Sequence, residues 1–239
     1  MKAQTVKKVA KRFIPVKLWN ARRKTSILKQ HKKVADFWTP LIEAYYNGTT
    51  EKYTLKPKRE LGARKVIWQY WGQGLDNDDL PEIVRICFNS VDRYKADYQV
   101  IRLTDATLSD YLDFPDFVLQ KRKNALFNRT FFSDLLRVAL LSVYGGVWLD
   151  ATILLTGKLP GKYEKLDFFM FQRSEDEKDK DYWENTFAYY FGWEPGFRVR
   201  VLNSIIFARK ANRVVSALSD LLLYFWETQD SVPDYFFFQ

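Results

Sequence analysis

The stretch from Thr130 to Asp150 constrains this chain most. Thr130 to Tyr144 reads as one helix, with Leu135, Leu136, Val138, Ala139, Leu140, Leu141 and Val143 apolar almost all round. A helix of that kind has to be covered on every side. Gly145-Gly146 ends it, and Val147-Trp148-Leu149 follows as a short apolar strand that delivers a carboxylate, Asp150, at its end. A buried helix feeding a buried strand through a two-residue turn needs further layers on both sides, and the flanking sequence supplies them. Lys65 to Trp71 is a β-branched and aromatic strand ending at Gly72 and Gly74. Asp79 to Arg93 reads as a helix with Asp78 or Asp79 at the N-cap, Pro81 in the first turn, and Ile83, Ile86, Cys87 and Val91 at apolar spacing. Tyr98–Leu103, Asp167–Gln172 and Asn203–Ala208 read as strands, Ile153–Leu155 as extended chain, and Asn212–Trp226 as an amphipathic helix. The alternation predicts an α/β domain with a mainly parallel sheet flanked by helices.

Charge divides the 239 residues in two. The formal net charge is +9, yet residues 1–33 hold twelve Lys or Arg and no acid, while the remaining 206 carry 26 basic and 29 acidic groups, a net of −3. Residues 5–30 read as a helix of mixed faces, interrupted at Pro15, and 34–47 as a second helix. Residues 1–47 are therefore expected as a basic helical extension, 48–64 as a polar linker, and 65–239 as the main domain. The basic segment suits an anionic membrane surface, where each cation contributes on the order of 1 kcal/mol, and reads alternatively as a solvated, partly disordered basic arm. The acidic body argues against a nucleic-acid groove, and nucleic acid binding through the arm is kept as a lesser alternative. His31 is the single histidine and Cys87 the single cysteine. His-based nucleophilic triads and the usual His/Cys zinc sites are accordingly not expected. No apolar run reaches membrane-spanning length and no signal peptide is evident, so a cytoplasmic location at the inner membrane face is the expectation.

In open α/β sheets ligands bind beyond the carboxyl ends of the strands, which makes Asp150 a candidate functional carboxylate. Asp134 and Arg137 lie three apart on the buried helix and need each other or a cleft, because an unpaired buried charge is costly. The pattern Ser133-Asp134-x-x-Arg137 … Tyr144-Gly145-Gly146-x-Trp148-x-Asp150-x-Thr152 resembles the capsular polysaccharide synthesis proteins. These are glycosyltransferases related to the family with the DXD sugar-binding motif, which includes the yeast initiating mannosyltransferase and the clostridial glucosylating toxins. Val66-Ile67-Trp68-Gln69-Tyr70-Trp71-Gly72-Gln73-Gly74 with Leu80-Pro81, Asn203 within Val201–Ala208, and Pro233-Asp234-Tyr235-Phe236 extend the resemblance over residues 65–239.

The resemblance implies a GT-A fold, a Rossmann-like sheet that binds a nucleotide-sugar such as a UDP- or GDP-sugar, with Mn²⁺ or Mg²⁺ at the Asp motif. Carried over, Trp71 is the aromatic that stacks on the base, with Gly72 and Gly74 letting the backbone approach. Asp134 and Arg137 hold donor ribose or sugar hydroxyls. Asn203 belongs to the donor site, and Asp150 with Thr152 forms the metal site. Thr152 stands where the related motif often has a second Asp. The implied reaction is transfer to a saccharide or lipid-linked saccharide acceptor in bacterial capsule or surface polysaccharide synthesis, with retention. No residue stands out as a covalent nucleophile, which favours a front-face route. A nucleotide-sugar-binding module with weak or no turnover is the alternative, motivated by Thr152 and by the apolar ending Phe236-Phe237-Phe238, which reads as a truncated chain.

Overall fold

The computed structural model describes residues 16–76, 78–187, 190–235 and 237–238. The chain divides into two compact units, the first made of residues 1–40, 172–201 and 233–239, the second of residues 41–171 and 202–232. The kink expected at Pro15 and the cations at 2–12 lie outside the described residues.

The second unit is built on a five-stranded sheet of order β2-β1-β3-β5-β4, from β1 (Val66–Tyr70), β2 (Gln99–Leu103), β3 (Gly146–Leu149), β4 (Phe168–Gln172) and β5 (Val201–Ala208). β1 runs parallel to both β2 and β3. β5 runs antiparallel to β3, with Val147 opposite Phe207 and Trp148 opposite Ile206. The sheet is therefore mixed, where the sequence predicted a mainly parallel one. Strand-forming composition gives no direction, and direction at β5 is set by pairing with β3.

Alternation along the strands sorts the side chains to two faces. Ile67, Val147, Leu149 and Phe207 share one cluster with Val91 of α2 (Glu82–Tyr94). On the other face Trp68 packs on the Tyr111 and Tyr144 rings, and its indole N–H donates to the Gly145 carbonyl at 2.9 Å. That face is covered by α4 (Arg129–Tyr144), of which Leu135, Leu136, Val138, Ala139, Leu140 and Leu141 are wholly buried. Each of the Leu and Val side chains contributes roughly 1.5–3 kcal/mol by leaving water. α4 starts at Asn128, whose side chain accepts from the amides of Thr130 and Phe131. It ends at Gly145 and Gly146, with φ of +72° and +107°. A Cβ on Gly146 would lie 2.6 Å from the Val66 carbonyl oxygen, so glycine here is what lets β3 enter the sheet beside β1.

Other expectations are modified. α2 begins after Pro81 without a side-chain cap, where Asp78 or Asp79 was expected. The amides of Asp79 and Leu80 are already used in a turn to the Asp76 carbonyl, so the helix starts only beyond them. Residues 153–155, expected as extended chain, belong to no strand, and Ile153 and Leu155 pack on the cluster of Ile67 and Val147. The helix expected over Asn212–Trp226 is α7 (Arg213–Thr228), capped by the Asn212 side chain, and its Trp226 stacks on Phe127 at 3.9 Å between ring centroids. Residues 48–64 carry no helix or strand yet are held down, since the amides of Lys58 and Arg59 donate to the Tyr144 hydroxyl and that of Tyr53 to Asp220.

The two helices expected at 5–30 and 34–47 are one continuous helix, α1 (Val16–Tyr46), which carries Pro40 inside it. Residues 16–40 of α1 belong to the first unit. There Ile27 and His31, one turn apart, are buried against Phe197 and Val199. Lys24 pairs with Glu184 and Glu194, Trp193 donates to the Ser174 carbonyl, and α6 (Lys180–Thr186) supplies Glu184. Two further short helices, α3 (Asp116–Lys121) and α5 (Gly161–Glu164), belong to the second unit.

Candidate active site

Asp150 stands at the carboxyl end of β3. Its amide donates to the Ser204 carbonyl at 2.9 Å, which extends the β3–β5 ladder by one residue and fixes where the carboxylate projects. Trp148, two residues earlier on the same face, is buried and donates its indole N–H to Asp150 Oδ1 at 2.6 Å. Arg137 of α4 lies over the Trp148 ring and is only 3% exposed. Its Nη2 reaches Asp134 Oδ1 at 3.2 Å and Asp150 Oδ1 at 3.3 Å, and its Nη1 donates to the Asn203 carbonyl at 3.0 Å. Nε and Nη2 also bond the Ser133 carbonyl and hydroxyl. The Asn203 amide nitrogen closes the ring by donating to Asp134 Oδ1 at 3.3 Å.

Four of the residues predicted from sequence, Asp134, Arg137, Asp150 and Asn203, therefore form one network drawn from α4, β3 and β5. Asp134 is 8% exposed. Burial pushes its carboxyl up to about 6, against the pull of Arg137 and with a further push from Asp150. Asp150 is the more open, its side chain 29% exposed. Two carboxylates around one guanidinium leave the fully ionised network one negative charge in excess.

Trp71 follows β1 and packs against Leu80, Val84, Phe88 and Ala151, so its ring lies beside the residue next to Asp150. Thr152 is exposed in the turn after Asp150. Gly74 has φ of +126°, a backbone conformation that suits glycine. Gly72 is buried, and the space a Cβ would need is filled by Tyr70 and Arg129. Cavities of about 200 Å³ and 250 Å³ occur elsewhere, the larger at the amino ends of β1 and β3 around Lys65, Gly146 and Lys210, but the chemistry concentrates at the opposite, carboxyl ends.

Sequence reasoning passed over two contributors. Trp148 orients both Arg137 and Asp150, and its position two before Asp150 on a strand was a sufficient signal. Ser133 fixes the Arg137 fork through an i, i+4 contact, and that spacing too was readable.

The fold and this site define an α/β protein with a carboxylate–arginine centre at the strand ends. The family model for capsular polysaccharide synthesis proteins matches residues 18–239, and the chain belongs to that family. It is also 23% identical over 189 residues to the O-glycosyltransferase braB of Annulohypoxylon truncatum, an alignment covering 76% of this chain and 42% of that protein. The chain thus spans less than half the length of this relative.

Proposed function

We propose that the protein is a nucleotide-sugar-dependent glycosyltransferase of GT-A type, acting at the carboxyl ends of β1 and β3 in surface polysaccharide synthesis. The observation that carries this reading is Arg137 joined at once to Asp134, Asp150 and Asn203. Family membership and the glycosyltransferase relative support it. Asp134 and Arg137 bind hydroxyls of the donor ribose or sugar, Asn203 holds both in place, and Trp71 offers an aromatic face to the base.

The donor set at Asp150 fits a hard divalent cation. No hydrogen bond among the described residues reaches its Oδ2, and Thr152 adds an exposed hydroxyl two residues on. Mg²⁺ is commonly held by one or two carboxylates, completed by substrate phosphates and water. No cluster of three His, Cys, Asp or Glu side chains occurs among the described residues, so substrate oxygens would have to complete the set. A net negative site repels a diphosphate, and Mg²⁺ or Mn²⁺ at Asp150 and Thr152 would reverse the sign and stabilise the leaving group. The protein's own groups orient the sugar carbon toward the acceptor hydroxyl. Arg137 balances charge beside that carbon, and without a protein nucleophile the leaving phosphate takes the acceptor proton on the same face, giving retention.

The acceptor is a saccharide, lipid-linked in this reading, and the basic segment 1–33 holds the enzyme at an anionic inner membrane face. Arg22, Lys29 and Lys33 are exposed on α1 and make no ion pair among the described residues. No helix among the described residues is long and apolar enough to cross a membrane.

Calorimetric titration with UDP, GDP and their sugars in the presence of Mn²⁺, run beside a donor-hydrolysis assay, tests the proposal. Donor-dependent nucleotide release that disappears in Asp150→Ala supports it. Binding without release from any donor would instead identify a binding module.

A further inference from the structure

A second charged cluster sits at the carboxyl ends of β1 and β2, and the reading above makes no use of it. Asp105, just beyond β2, accepts the Tyr70 hydroxyl and Arg122 Nη2 on Oδ1, the latter at 2.6 Å. Its Oδ2 accepts Arg129 Nε at 3.0 Å. Arg122 is fixed further by lying over the Phe132 ring, 4.0 Å from its centroid. Burial works to raise the Asp105 carboxyl, but the bonds from Tyr70, Arg122 and Arg129 outweigh it and hold it below its ordinary range. Asp105 is therefore ionised, and the three charges sum to +1.

Arg129 commits only Nε to this anchor. Its side chain is 52% exposed, and its two terminal nitrogens have no partner among the described residues. A guanidinium pinned at Nε with its fork free is preorganised for two oxygens of one oxyanion.

Two placements direct that fork. A Cβ on Gly72 would lie 2.8 Å from Arg129 Cδ and Nε and would meet the Tyr70 hydroxyl, so glycine at 72 lets the loop after β1 lie against Arg129. Along α4, Arg129 precedes Arg137 by eight residues, which places it about 12 Å along the helix axis and about 80° around it, on the same broad side of the helix. The network around Arg137 is net negative when fully ionised, and the cluster around Arg129 is net positive.

We propose that Arg129, anchored by Asp105 and flanked by Arg122, is a phosphate-binding fork that takes the phosphate oxygens of a ligand lying along α4. The proposal rests on the glycosyltransferase reading for the kind of ligand bound at these strand ends. The phosphate has two sources there, the diphosphate of a nucleotide-sugar donor and that of a lipid-linked acceptor.

The test is calorimetric titration of the full chain and of Arg129→Ala, Arg129→Lys and Gly72→Ala with inorganic pyrophosphate, UDP, GDP and farnesyl diphosphate, with a thermal melt on each to show folding. Arg129→Ala should weaken pyrophosphate about 10- to 100-fold. Arg129→Lys should regain only part, because the charge returns without the fork. A parallel loss for UDP or GDP assigns the fork to the donor, and a loss for farnesyl diphosphate alone assigns it to the acceptor. A folded Arg129→Ala protein that binds all four probes as the unaltered chain does overturns the proposal, as does an unaltered chain that binds none. Transfer abolished by Asp150→Ala beside unchanged binding in Arg129→Ala leaves the enzyme reading standing without the fork. Arg129-dependent pyrophosphate binding with no transfer from any donor leaves the fork standing without the enzyme.

Discussion

Arg137 is the residue on which the site depends, because one guanidinium serves two carboxylates, two carbonyls and a hydroxyl while almost wholly buried. Removing it leaves Asp134 buried and unpaired. Arg137→Ala should therefore cost about 3–5 kcal/mol of stability in urea denaturation, besides abolishing donor binding. Asp150→Ala should behave differently. Its carboxylate is more open and shares its one engaged oxygen with Trp148 and Arg137, so that variant should fold with a loss of about 1 kcal/mol or less while activity disappears. Equal destabilisation of the two variants would contradict this division of roles. The pairing of Asp134 with Arg137 was legible from their spacing on an apolar helix. The reach of Arg137 to Asp150 and Asn203 was not, because it needs the strands placed beside α4, and Asn203 lies 66 positions away on β5.

At the scale of elements, the joint between α4 and β3 carries most of the architecture. Gly146 combines positive φ with a 2.6 Å approach to the Val66 carbonyl. Gly146→Ala should thus cost more than the ~1–2 kcal/mol of a left-handed residue alone, since β1 must also move. Chemical denaturation measures the cost, and one under about 1 kcal/mol would show that the joint gives way easily. Asn128→Ala removes the cap at the other end of α4 and should cost about 1 kcal/mol by the same measurement. Helix existence, the diglycine stop and the strand that follows were readable, because they depend on local pattern. The antiparallel direction of β5 and the single continuous α1 were not. The first is a matter of which strands meet, and in the second burial of Ile27 and His31 carries the helix through the gap between the two segments read at 5–30 and 34–47.

At the scale of the whole molecule, the basic segment supplies core residues as well as charge. Residues 1–33 read as a separable arm, yet Ile27 and His31 are part of the apolar centre of the first unit, and Lys24 is paired there. Deleting them to test membrane attachment would damage that unit, so the sound test is substitution of Arg22, Lys29 and Lys33 by Glu. Those changes should abolish binding to anionic vesicles without lowering the melting temperature appreciably. His31 also gives this unit a pH dependence. Its Nδ1 accepts the Arg198 amide at 3.1 Å, which requires a neutral ring. Burial lowers its proton affinity, against a smaller opposite effect of Asp234. The unfolded chain therefore binds a proton more readily than the folded one, so His31's contribution is full above an unfolded value of about 6.5 and is lost as pH falls below it. Hydrogen exchange of residues 172–187 and 190–201 at pH 7.5 and 5.5 should show protection falling at the lower pH, and His31→Gln should remove that difference.

The sequence by itself determined the helix that must be buried, the glycines that end it, the strand that presents Asp150, and the family to which the chain belongs, since each depends on residue type at short spacing. Tertiary structure decided which charges meet. The ring of Asp134, Arg137, Asp150 and Asn203, the Asp105 anchor of Arg129, and the burial of a histidine within a basic helix all join distant residues. Desolvation and pairing there follow from packing, which no local pattern encodes.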